Sequence, residues 1–128
     1  MSYYFAKRLH CSFDDAVKRV IDALKNAGFG IITEINVKDT FKKKLGIEFR
    51  NYRILGACNP AIARDALEIE DKIGTMLPCN VVVQDTADGD VEVAVIDPVA
   101  SMAAVENPAL KTSAGKVRDM LKAVVDAL

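Results

Sequence analysis

The sequence predicts an α+β fold: an antiparallel sheet in strand–helix–four strands–helix order, with helices packed on one face. Three observations carry this. Two long segments, near the start and at the end, repeat apolar residues at three- and four-residue steps. Between them lie several short β-rich runs with alternating polarity, and runs of strands bracketed by helices point away from an alternating parallel fold. One pair of those runs is joined by Asp88-Gly89, a strong short-range hairpin signal.

Taken in order, Tyr3 to His10 mix aromatic, aliphatic and basic side chains and read as a first strand. Ser12 opens a helix, its hydroxyl placed to cap a free N–H, with Asp15 three positions on completing a weak capping box. Ala16, Val17, Val20, Ile21 and Leu24 form one stripe, and Gly28 supplies the left-handed stop. Gly30 to Val37 reads as a strand with Ile31, Ile35 and Val37 on one face. Asp39 to Leu45 is a short helical turn stopped by Gly46. A second strand pattern covers Phe49 to Leu55 and runs on to Cys58. Asn59-Pro60 then starts a helix to about Asp71, with Ile62, Ala63, Ala66 and Leu67 facing inward. Asn80–Asp85 and Val91–Asp97 form the hairpin, and Asp97-Pro98 ends it. One helical turn fits residues 98–106. Asn107-Pro108 starts the last helix, whose stripe is Ala114, Val117, Leu121, Val124, Val125 and Leu128.

With 128 residues and no repeat, linker or composition break, a single domain over residues 1–128 is expected. Seventeen Lys and Arg face eighteen Asp and Glu, so no net field draws in nucleic acid or an acidic membrane. Without Trp there is also no evident base-stacking platform. Charges interrupt every apolar run, and the first eight residues place their basic side chains after the aromatic ones, the reverse of a secretory leader. A cytoplasmic protein is therefore expected, its three cysteines kept as thiols. No nucleic acid and no membrane are expected as partners.

The segments Tyr52-Arg53-Ile54-Leu55-Gly56-Ala57-Cys58-Asn59-Pro60 and Leu77-Pro78-Cys79-Asn80-Val81-Val82-Val83 resemble a known family. So do Gly28-Phe29, Glu34-Ile35-Asn36-Val37, Lys43-Lys44-Leu45 and Ile96-Asp97-Pro98. Across essentially its whole length the chain is similar to the domain-of-unknown-function 302 family of small prokaryotic proteins. The resemblance implies a fold like that of the TATA-binding protein. It implies no DNA binding, because function resides in sites and not in folds.

Cys58 ends one strand and Cys79 opens the next, so adjacent antiparallel strands would bring them together across twenty intervening residues. Cys58 also precedes a helix N-terminus, which favours a thiolate. With Asn59 and Asn80 they form the candidate thiol or ligand site. Packing accounts for both cysteines more readily, since free thiols are among the most buried groups. Their spacing is no metal motif, and neither metal nor cofactor is expected. Lys43, Lys44 and Arg53 form a candidate anion site, with Lys42 and Arg50 near in sequence, although Glu34 and Glu48 could neutralise them. His10, the lone histidine, has no identifiable orienting group for base catalysis.

No acid–base constellation emerges, and the expected function is a non-catalytic oligomeric module that binds a small-molecule ligand or a partner. The alternative is a thiol-based redox or metal-handling protein using Cys58 and Cys79. A homodimer is expected because Val82, Ala94 and Ile96 alternate out of phase with Val81/Val83 and Val91/Val93/Val95. Helices on one side alone would leave that second apolar set uncovered.

Overall fold

The computed structural model describes residues 2–128; Met1, the first residue of the segment read for a leader, lies outside the described residues. Five strands form one antiparallel sheet: β1 (Tyr4–Leu9), β2 (Gly30–Asn36), β3 (Tyr52–Cys58), β4 (Cys79–Asp85) and β5 (Val91–Ile96). Their spatial order is β1-β5-β4-β3-β2, which puts the first two strands at the edges and makes β4, one arm of the hairpin, the central strand. The helices are α1 (Phe13–Asn26), α2 (Val37–Leu45), α3 (Pro60–Ile69), α4 (Pro98–Ser101) and α5 (Pro108–Asp126), with a 3-10 segment over Asp71–Met76.

The capping residues act as their chemistry predicts. Asp15 N–H donates to Ser12 Oγ at 3.2 Å, and Ile62 N–H donates to Asn59 Oδ1 at 3.2 Å. Ala109 N–H donates to Asn107 Oδ1 at 3.2 Å. Gly28 ends the turn after α1 at φ +91°, a conformation that side chains disfavour. The hairpin turn over residues 86–90 holds Gly89 at φ +88°.

Helices α1 and α5 cover the same face of the sheet. Val20 and Leu24 from α1, and Leu121 and Val125 from α5, join Leu55, Val81, Val93 and Val95 in one buried core. A smaller cluster of Ala66, Ile73 and Leu110 lies where α3, the 3-10 segment and α5 meet.

Among the described residues the opposite face carries no layer like that of α1 and α5, although α2 packs against β2 and β3. Register aligns one residue from every strand across it: Ile35 with Ile54, Ile54 with Val82, Val82 with Ala94, and Ala94 with Ala6. Ile35 is 48% exposed. A parallel row of Tyr52, Gln84, Glu92 and Arg8 is polar.

Several expectations are corrected. The pairing of β2 with β3 shifts between Ile31 and Thr33. One extra residue reverses the alternation beyond it. Ile31 therefore faces the core while Ile35 lies on the open face. Val37 belongs to α2, which Asn36 caps through Asp39 N–H at 3.1 Å. Strand β3 starts at Tyr52 and not at Phe49, because the Phe49 ring packs edge-on against Phe41 of α2. Helix α3 ends at Ile69, short of Asp71, and Leu67, expected to face inward, is 43% exposed. Its inward neighbour is Ala66, which packs with Ile73 of the 3-10 segment. Among the described residues no helix is long and apolar enough to cross a membrane.

Candidate functional site

The site lies at the end of the sheet where β3 gives way to α3 and β4 begins. Ala57 and Cys79 are direct cross-strand partners. Cys58, one residue further along β3, pairs with Gly30 and is therefore the diagonal neighbour of Cys79. All three cysteines are free; Cys79 is buried, and Cys58 and Cys11 are half-buried. Asn59 spends its side-chain oxygen on the α3 cap, and Pro60 occupies the first helical position.

Cys58 and Cys79 line one cavity of about 50 Å³, walled also by Ala63 and Ala66 of α3 and by Ser113 and Ala114 of α5. The facing helices contribute small residues here, and the space exists because Ala and Ser do not fill it. Asn59 and Ser113 supply the polar groups of a wall that is otherwise apolar apart from the thiols.

Burial pushes the Cys79 thiol up to about 11, and the neighbouring Cys58 acts in the same direction. At neutral pH Cys79 is thus a protonated, sluggish group and not a nucleophile. No carboxylate, histidine or basic side chain lines the cavity among the described residues. Its chemistry is that of a small apolar recess bearing two thiols.

Asn80 does not join it. This residue stands across from Gly56 and is exposed. The anion candidates do not line the cavity, and among the described residues only Arg53 of the three has an ion-pair partner, its buried Nε making no hydrogen bond. Arg53 binds Glu34 at 3.1 Å and lies over the Phe13 ring, 5.4 Å from its centroid. Lys42 binds Glu48 at 2.6 Å. Lys43 and Lys44 stand exposed on the last turn of α2, where cations suit the helix dipole.

His10 finds a partner that sequence spacing did not reveal. Its Nδ1 lies 2.9 Å from Asp90 Oδ1, beside an ion pair between Arg8 and Asp88 at the hairpin tip. The Thr86 hydroxyl and the Arg8 guanidinium hold the Asp88 carboxyl below its usual range. Cys11 instead meets Arg19, with Nη1 3.8 Å from its sulfur. The histidine and its neighbouring thiol thus take different partners and form no nucleophile–base pair.

Sequence reasoning missed the α4–α5 side of the cavity, Met102, Leu110 and Ser113. The available signal was the small-residue pattern of Ala63, Ala66 and Ala114, which leaves a gap wherever two helices present it to each other. Among the described residues no group of three His, Cys, Asp or Glu is placed to hold a metal.

Comparison with known proteins places this architecture. Among curated proteins none matches. The crystal structure of an uncharacterized conserved protein, DUF302, from Bacillus stearothermophilus superposes with a TM-score of 0.90. It is 26% identical in sequence, and the match covers 98% of each chain. Residues 5–128 match the family described as domain of unknown function DUF302, and the chain belongs to that family.

Proposed function

We propose that this protein is a non-catalytic binding module that works in the cytoplasm as a homodimer, two copies meeting through their open sheet faces. The observation that carries the reading is the apolar row Ile35, Ile54, Val82, Ala94 and Ala6, one residue from each strand, on the face without a helical layer. A monomer would leave this row to water, whereas a two-fold contact covers it with its own copy. The order strand, helix, four strands, helix supports a likeness to the TATA-binding protein fold, and the near-neutral charge argues against carrying over DNA binding.

Light scattering tests the assembly. The expected mass is twice 13.9 kDa, falling to 13.9 kDa in Val82→Arg, which places a charge in the middle of the row. A wild-type particle of 13.9 kDa at micromolar concentration would overturn the dimer.

A second reading, a thiol-based redox or metal-handling role, draws on one observation: Cys58 and Cys79 line the same cavity. Thiol titration over a pH series, on the wild type and on Cys58→Ser and Cys79→Ser, separates the two. One fast thiol with a depressed pKa favours the redox role, and two slow, pH-insensitive thiols exclude it.

A further inference from the structure

The thiol-bearing cavity does not stand alone. A second cavity, of about 230 Å³, lies between α4 and α5 and opens beside exposed Val99 and Lys111. The two spaces share Met102, Leu110 and Ala114 as walls. Met102 is half-buried, and its unbranched thioether, with three rotatable bonds, is the kind of side chain that moves aside at small cost. Among all the residues that wall the two cavities, Lys111 alone is charged. It forms no ion pair among the described residues.

We propose that these two cavities form one binding site for a single-chain amphiphile with an anionic head, such as a medium-chain carboxylate. The head meets Lys111 at the mouth, and the unbranched tail runs past Met102 toward Cys58 and Cys79. A dry apolar recess takes up an apolar chain because water gains little there. One water needs roughly 10–15 Å³ of such space, so the inner cavity admits the end of a chain and no bulky ring system. The long axis from a single cation to an uncharged interior selects one head and one tail. This inference rests on the reading of the protein as a binding module and not on the dimer, because its walls lie on the helical side.

The test is one-to-one titration, read by thermal shift, with octanoate, octanol and octylamine. For the wild type the expected order of affinity is octanoate, octanol, octylamine. In Lys111→Glu the order reverses, with octanoate weakened about threefold, the scale of one exposed ion pair. Lys111 is exposed, so the substitution leaves the fold intact. The tail is located separately, in Cys11→Ser, by the rate of alkylation at Cys58. Octanoate slows it, and butyrate, too short to pass Met102, does not.

Failure of all three compounds to bind at millimolar concentration would overturn the site. An order of affinity unchanged by Lys111→Glu would overturn the role of the head, and equal protection by butyrate and octanoate that of the tail. Co-sedimentation with phosphatidylglycerol vesicles in place of stoichiometric octanoate binding would also overturn it. None of these outcomes bears on the light-scattering mass, so failure here is distinguishable from failure of the dimer.

Discussion

Thr33 and Gly56, cross-strand partners on β2 and β3, fit together only because Gly56 has no side chain. A Cβ at Gly56 would collide with Thr33 Oγ1 and stand 2.6 Å from Pro78 Cγ. The Leu77–Pro78 turn therefore closes over bare backbone, just before the strand position that holds Cys79. Gly56→Ala is expected to destabilise the fold by about 1–3 kcal/mol, the usual cost of overpacking at a site with no room. Urea melts of the variant check this. Thr33→Ala in the same chain should recover part of the loss, leaving the clash with Pro78.

The two positions that sequence periodicity assigned to the interior give opposite expectations. Val20 is 1% exposed in the α1–α5 core, so Val20→Asp places an unpaired charge there and should cost several kcal/mol, about enough to abolish a cooperative transition. Leu67 is 43% exposed, and Leu67→Asp should change stability by less than about 1 kcal/mol. Thermal melts of both distinguish a real stripe from an apparent one.

That contrast shows what local pattern can carry. Three helix starts were legible because an Asn or Ser cap is a short-range bond, and Ser12, Asn59 and Asn107 each make it, whereas the Asn36 cap of α2 was hidden inside a strand-like run. The hairpin was legible because Gly89 must take positive φ. The bulge at residue 32 was not, since period-two alternation continues through the sequence while the pairing slips by one. Phe49 looked like strand because aromatics favour strands, yet tertiary contact with Phe41 decided it. Of the candidate site, the cysteines were legible from the order of strands. The rest was not: Met102, Leu110 and Ser113 come from elements distant in sequence, and nothing local marks a residue as a cavity wall.

Asn59 holds one end of that cavity through the α3 cap. Asn59→Ala should cost about 1 kcal/mol, typical of a lost cap, and Asn59→Ser should restore most of it. The same variant loosens the helix that carries Ala63 and Ala66, so alkylation of Cys79 should quicken more than that of Cys11. Mass-spectrometric labelling of the native protein reads both thiols in one experiment.

Alkaline pH tests the burial of Cys79. Its pKa is raised from 9.0 to about 11 in the folded chain. Between those values the unfolded chain has released the thiol proton while the folded chain retains it. The folded state then binds more protons, and stability falls as pH rises. This contribution is fully present below pH 9, declines through the window from 9 to about 11, and levels off above it. Two pH units correspond to about 2–3 kcal/mol at most. Tyrosines and lysines titrate in the same window, so the informative quantity is the difference between the wild type and Cys79→Ala. Urea melts at pH 8 and at pH 11, flanking the window, should show the wild type losing more stability than the variant, by up to about 2 kcal/mol. Equal losses would mean that the thiol reaches water, and that the cavity wall at Cys79 is open.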